Sequence, residues 1–149
     1  MKLLITGIPG TGKTSIGNFL ESGRGYKHLD IENVFKTHGV PGLEIVEKFL
    51  AEKGENMVIT WGFRTVEDEP LVRRLQSLGY KMIWFDGNRE AARREFLKRG
   101  DVPEALFDLQ LRKIDKMDLD SFKAMKVNTF DERGEFLSQG EIVGLMCIN

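Results

Sequence analysis

Cysteine is all but missing from the chain. Cys147 is the only one in 149 residues, so a disulfide framework is excluded and a cysteine-based zinc site has no partners. Cys147 is expected to be a small buried side chain near the C-terminus. Net charge is missing too: 22 Lys and Arg oppose 23 Asp and Glu, a formal charge of -1, so no overall basic field invites nucleic acid. The two histidines, His28 and His38, have no ligand-spaced partners and read as structural or surface residues. No apolar run approaches the ~20 residues of a membrane span, and the N-terminus lacks a secretory pattern. These absences predict a soluble protein in a reducing, cytoplasmic setting, without a membrane partner. Repeats, low-complexity tracts and Pro/Gly/Ser-rich linkers are absent as well, and 41% hydrophobic content suits one core, so residues 1–149 are expected to form one domain.

What is present is Gly7-Ile8-Pro9-Gly10-Thr11-Gly12-Lys13-Thr14, which fits G-x-x-x-x-G-K-[ST]. The apolar run Met1 to Ile5 has strand length, and Ile16, Phe19 and Leu20 recur at helical spacing, so the motif has the strand, loop and helix context it requires. Glycines let the backbone wrap so that successive N–H groups and a helix N-terminus point at phosphate oxygens. Lys13 adds charge near the β- and γ-phosphates, and Thr14 offers a hydroxyl to magnesium. Gly7, Pro9, Gly10, Thr11, Gly12, Lys13, Thr14 and Ser15 are therefore the expected nucleotide-binding residues. A chance match in a chain of this size is expected on the order of once in a few hundred.

Further elements follow in alternation. Glu21 to Gly25 stops the first helix; Tyr26 to Asp30 reads as a strand; Gly39-Val40-Pro41-Gly42 is a turn; Leu43, Val46, Phe49 and Leu50 mark a helix ending near Gly54. Met57 to Trp61 is a third strand, apolar enough to be covered on both faces. A helix spans about Val66 to Leu78, a fourth strand Tyr80 to Phe85, and an Arg-rich helix opens near Asn88 and ends at Gly100. Phe107, Leu111 and Ile114 mark another helix, Lys126 to Phe130 a short last strand, and Ile142, Val143 and Met146 a closing helix. Strands alternating with helices imply a parallel sheet with right-handed crossovers and ligands beyond the carboxyl ends of the strands.

That rim selects Asp30, Arg64 and Asp86. Arg64 can bind an anionic acceptor or pair with Glu67 or Asp68. For Asp86, capping of the following helix is the better reading. Arg93 and Lys98 read as a solvated helix face, with Glu90–Arg94 and Glu95–Arg99 as i, i+4 pairs, whereas Arg99 is favoured as a functional group. Trp61 reads as core at its base with an exposed edge in the acceptor cleft.

With these pieces in place, the chain resembles the small P-loop kinases, the group that includes adenylate, shikimate and gluconate kinases. Gly7 to Thr14, Asp30-x-Glu32, Trp61-Gly62-Phe63-Arg64-Thr65 and Lys98-Arg99-Gly100 carry the resemblance, which runs over nearly the whole length. It implies an α/β, three-layer P-loop NTPase fold with a five-stranded parallel sheet flanked by helices, nucleoside-monophosphate-kinase-like, with a short lid near 99–110. In shikimate kinases an Asp-x-Asp element lies where Asp30-Ile31-Glu32 lies here, and its carboxylates serve magnesium and the acceptor hydroxyl. Adenylate kinases have Asp-Gly-Phe-Pro-Arg after the third strand. Here the Pro is missing and Trp61 replaces the acid.

The resemblance implies ATP and magnesium, with Lys13, Asp30 and Arg99 as catalytic residues, Asp30 and Arg64 on the acceptor and Thr14 on the metal. The expected activity is transfer of the γ-phosphoryl of ATP to a hydroxyl or phosphate of a small-molecule or nucleotide acceptor, chemistry that asks mainly for positioning and charge neutralisation. The alternative is an ATP-binding protein or NTPase acting through a partner, for which Trp61 is the best argument. A GTPase is disfavoured because no Asn-Lys-x-Asp element appears and no Asp-x-x-Gly follows the third strand. Phosphorylation of a nucleic-acid end is disfavoured by the near-neutral charge.

Overall fold

Leu3, Leu4 and Ile5 are fully buried although they are consecutive, which requires a strand covered on both faces. The computed structural model, which describes residues 1–63, 66–100 and 102–148, supplies that cover. Five strands, β1 (Lys2–Gly7), β2 (Lys27–Asp30), β3 (Met57–Thr60), β4 (Tyr80–Asp86) and β5 (Met125–Asn128), form one sheet in the order β2-β3-β1-β4-β5. Every pairing is parallel. Seven helices are described: α1 (Lys13–Arg24), α2 (Ile31–His38), α3 (Gly42–Ala51), α4 (Glu69–Ser77), α5 (Arg89–Leu97), α6 (Glu104–Asp115) and α7 (Gln139–Leu145), with 3-10 turns at Val66–Asp68 and Leu119–Phe122.

Side chains of a strand alternate between faces, and the core divides accordingly. Leu3, Ile5, Val58, Ile83 and Phe85 pack with Ile16 and Leu20 of α1, Ile142 and Val143 of α7, and Met146 at its C-cap. Leu4, Ile59, Met82 and Trp84 face the other way, onto Val46 and Phe49 of α3, Val72 and Leu75 of α4, and Phe96 and Phe107 of α5 and α6. Each such large side chain contributes roughly 1.5–3 kcal/mol on burial. The three-layer expectation holds, and the strand ends carrying Gly7, Asp30, Thr60 and Asp86 form one rim.

Several expectations need correction. Residues 31–38, to which the sequence pattern assigns no element, form α2; Asp30 caps it by accepting from the Asn33 amide at 3.0 Å, and Ile31, Val34 and Phe35 are its apolar side. Helix α1 runs through Gly23 to Arg24, and it is Gly25, at φ 69, that ends it. Asp86 does not cap α5: Asn88 does, accepting from the Ala91 amide at 3.0 Å, while the Asp86 carboxylate accepts from the next amide, Gly87. The i, i+4 pairs expected around α5 are not seen among the described residues: Glu95 holds Lys98 at 2.8 Å and Arg94 at 3.7 Å instead, and Arg93, expected on a solvated face, reaches Asp108 at 2.9 Å and Glu104 at 3.1 Å on α6. Cys147 is exposed, because the chain has left α7 and turned with φ 53. Of the interval 99–110, residues 104–110 form the first turns of α6. No helix among the described residues is long and apolar enough to cross a membrane.

Candidate active site

The loop between β1 and α1 is shaped by backbone that only glycine tolerates. Gly7 has φ 134, and a Cβ there would lie 2.1 Å from the Phe85 carbonyl oxygen; Gly10 has φ 77, and its Cβ would meet the Ala92 carbonyl oxygen at 2.1 Å. Gly12 caps α1 with φ 84 and no side-chain hydrogen bond, leaving the helix N-terminus to be satisfied from outside. Ile8 organises the interior of the loop. Its carbonyl accepts from the Thr11 hydroxyl at 2.7 Å and from Lys13 Nζ at 2.9 Å, and Lys13 also reaches the Gly7 carbonyl at 3.3 Å. Lys13 is thereby folded back across the loop. Ser15 is held from the far side by Gln139 of α7, whose amide donates to Ser15 Oγ at 2.9 Å.

Asp30, at the end of β2, meets this loop through Thr14. The Thr14 hydroxyl donates to Asp30 Oδ2 at 2.6 Å, while Oδ1 accepts from Asn33. Two residues on, Glu32 lies in the first turn of α2 and lines a cavity of about 680 Å³ that opens beside the phosphate loop. Gly62 is what admits its carboxylate: a Cβ at Gly62 would be 2.6 Å from Glu32 Oε1. Trp61 lines the same cavity and packs on Phe63 with ring centroids 5.6 Å apart. An indole thus lines the cavity at the position where the resemblance has a carboxylate.

Behind the rim, His28 bridges α1 to β3. Its ring nitrogens lie 3.0 Å from Asn18 Oδ1 and 2.8 Å from Thr60 Oγ1, and Gly17 leaves it room, since a Cβ there would be 2.3 Å from Nε2. Burial holds the His28 pKa below its ordinary 6.5, against the opposing pull of the nearby Asp30 and Glu21 charges.

The remaining wall comes from α5, the turn after it, and α6. Arg99 stands over the Phe96 ring at 5.3 Å from its centroid and lines the cavity with Val102, Leu106 and Gln110. Lys113 lines it one turn further along α6. On the other side of α1, the Phe130 and Phe136 rings stack with centroids 4.6 Å apart, and Phe136 lies over Gly12. Arg94 donates to the Gly134 carbonyl, tying this 130–136 hairpin to α5.

Of the residues expected from sequence, Gly7, Pro9, Lys13 and Arg99 line one cavity, and Thr14 and Asp30 touch at its edge. Arg64 lies outside the described residues. Asp86 lines a separate cavity of about 280 Å³ with Arg89 and Asp115, a pair whose shortest contact is 2.7 Å. The sequence offers Glu32 only through the Asp30-x-Glu32 resemblance and gives no sign of Gln110. Glu32 could have been promoted once Asp30 was read as the cap of a helix; Gln110 carries no local signal. Among the described residues no cluster of three or more His, Cys, Asp or Glu side chains could hold a metal ion. The Thr14–Asp30 pair offers instead the one or two hard oxygen donors with which proteins usually hold magnesium alongside substrate phosphates.

No family model matches the sequence, and no curated protein matches it. Solved structures do match the fold. A gluconokinase from Sinorhizobium meliloti 1021 superposes with a TM-score of 0.66 at 17% identity, covering 97% of this chain and 87% of that one. Shikimate kinases from Bacteroides thetaiotaomicron and Aquifex aeolicus vf5 give TM-scores of 0.62 and 0.59 at 17% and 21% identity, covering 99% of this chain and 99% and 94% of theirs. The fold is that of the small P-loop kinases.

Proposed function

We propose that the protein is an ATP-dependent phosphotransferase that moves the γ-phosphoryl of ATP to a hydroxyl or phosphate of a small acceptor. The observation that carries this reading is the continuity of the 680 Å³ cavity: Lys13 and the phosphate loop form one wall, and Glu32, Trp61, Arg99 and Gln110 line the rest. A phosphoryl donor bound on the loop therefore has acceptor-sized space beside it. An NTPase acting on water alone has no need of that space.

Roles follow from placement. Loop amides and the open N-terminus of α1 bind phosphate oxygens, and Lys13 neutralises charge on the transferring group. Thr14 and Asp30 would hold magnesium, which supplies charge neutralisation on the β- and γ-phosphates when bound. Glu32, on the acceptor side, accepts the hydroxyl proton or orients the hydroxyl, provided the two come within ~3 Å. Arg99, at the start of a short lid formed by the turn into α6, clamps the phosphoryl oxygens. Asp30 is kept as a catalytic residue through its place beside Thr14, and Arg64 as an acceptor-binding one. The composition, with its single cysteine, suits a cytoplasmic enzyme.

The test is ADP release with ATP and magnesium across a panel of gluconate, shikimate, further sugar acids, polyols, nucleosides and nucleoside monophosphates. The reading expects turnover that is negligible alone and rises with one member. Acceptor-independent turnover, equal with every member and with none, favours the alternative of a nucleotide-driven partner protein, the reading to which Trp61 in place of an acid lends weight.

A further inference from the structure

A lone exposed apolar side chain is ordinary on a protein surface, but Phe136, 40% exposed, stands in a particular place. Its ring reaches the phosphate loop: Cε1 and Cζ lie 3.4 and 3.7 Å from where a Cβ on Gly12, the cap of α1, would stand. Phe130, itself 2% exposed, covers one face of that ring with 22° between the planes, so the open surface of Phe136 lies away from it. The hairpin behind the ring is braced. Asp131 Oδ1 accepts from the Arg133 and Glu135 amides at 2.8 and 3.0 Å, the Asp131 and Leu137 amides donate to the Glu135 and Thr129 carbonyls, and Arg94 holds the Gly134 carbonyl. A surface fixed before binding loses little freedom on binding. What belongs on it follows from the direction of the loop. The lysine of this motif reaches the β- and γ-phosphates, and Lys13 lines the acceptor cavity, so the γ-phosphoryl points there and the nucleoside leaves on the other side. On that side Phe136, Gly12 and Ser15 line a small cavity of about 140 Å³ that shares no wall residue with the acceptor cavity.

We propose that Phe136 is the platform on which the base of the donor nucleotide stacks, and that the donor site takes ATP and GTP alike. Stacking uses the π face that every base has and ignores the edges by which bases differ. The hairpin has few groups left to read those edges, because the amides of Asp131, Arg133, Gly134, Glu135 and Leu137 are all spent inside it. The inference rests on the kinase reading above and adds to it the residue that holds the base and the range of donors.

The experiment measures binding of ATP, GTP and tripolyphosphate, which has no base, by calorimetry with magnesium. It compares wild type with Phe136→Ala, which removes the ring, and Phe136→Trp, which enlarges it. Wild type is expected to bind ATP and GTP within an order of magnitude of each other. Phe136→Ala should weaken both by roughly 5- to 150-fold and leave tripolyphosphate binding unchanged. Phe136→Trp should bind both nucleotides at least as tightly as wild type, and its added indole emission, read against that of Trp61 and Trp84 in wild type, should be quenched by ATP and GTP and not by tripolyphosphate. Unchanged ATP binding in Phe136→Ala overturns the platform, as does a parallel loss of tripolyphosphate binding, which makes Phe136 a support of the loop. A wild type that prefers one purine by more than an order of magnitude overturns the shared donor site. A wild type that binds neither ATP nor tripolyphosphate overturns the kinase reading itself and, with it, the role of Phe136.

Discussion

The Thr14 hydroxyl donates to Asp30 Oδ2 across 2.6 Å, while the other oxygen of that carboxylate caps α2 through the Asn33 amide at 3.0 Å. One side chain thus joins the phosphate loop to the helix that carries Glu32. Asn caps helices as well as Asp does, so Asp30→Asn is expected to keep the fold and the cap but remove the charge beside Thr14. Acceptor phosphorylation should fall by roughly 10²- to 10⁴-fold, with a raised magnesium requirement and near-normal melting. Steady-state kinetics over a magnesium titration decides; turnover within a few-fold of wild type makes Asp30 purely structural.

Glu32 and Gly62 form the second pair. Glu32→Gln should leave ATP binding intact and lower acceptor turnover by at least about 10²-fold, as for a lost acid–base group. Gly62→Ala puts a Cβ 2.6 Å from Glu32 Oε1 and is expected to push the carboxylate aside, lowering the acceptor kcat with a smaller effect on melting. Unchanged acceptor kinetics in both variants would remove Glu32 from the mechanism.

Arg99 makes no ion pair among the described residues and rests over Phe96 at the cavity edge. Arg99→Ala should lower kcat by much more than it weakens ATP binding, since a clamp on the transferring group acts in the transition state. Equal losses in a nucleotide titration and in kcat would make it an ordinary binding cation.

His28 gives the fold a pH dependence. Burial lowers its pKa below 6.5, so the unfolded chain binds more protons than the folded one as pH drops through that value. Its contribution to stability is therefore complete above pH 6.5 and is lost as pH falls from there through the lower folded value. His28→Gln should flatten this part of the stability–pH curve in denaturant titrations. A curve of unchanged slope would place the sensitivity elsewhere.

The parallel sheet and the phosphate loop were legible because their signals are local: apolar runs of strand length, and a glycine pattern whose positive φ values at Gly7, Gly10 and Gly12 the backbone requires. Helix α2 escaped because Glu32, Asn33, Lys36, Thr37 and His38 dilute its apolar side, although Asp30 as a cap and the spacing of Ile31, Val34 and Phe35 carry the message. The partners of Arg93 escaped for another reason. Glu104 and Asp108 become available only when α6 folds beside α5, which no periodicity within α5 reveals. Gln110 is the extreme case, since it meets the cavity only when α6 folds beside stretches of chain far from it in sequence.

Lys13 offers the most direct test of phosphoryl transfer. With ATP labelled in the γ-phosphate and an acceptor from the panel, wild type is expected to place label in the acceptor in step with ADP formation. A folded Lys13→Ala protein, which has lost the charge now held over the Gly7 and Ile8 carbonyls, should place almost none there. Label released only as inorganic phosphate at a rate indifferent to acceptor, or wild-type transfer by Lys13→Ala, would contradict the account.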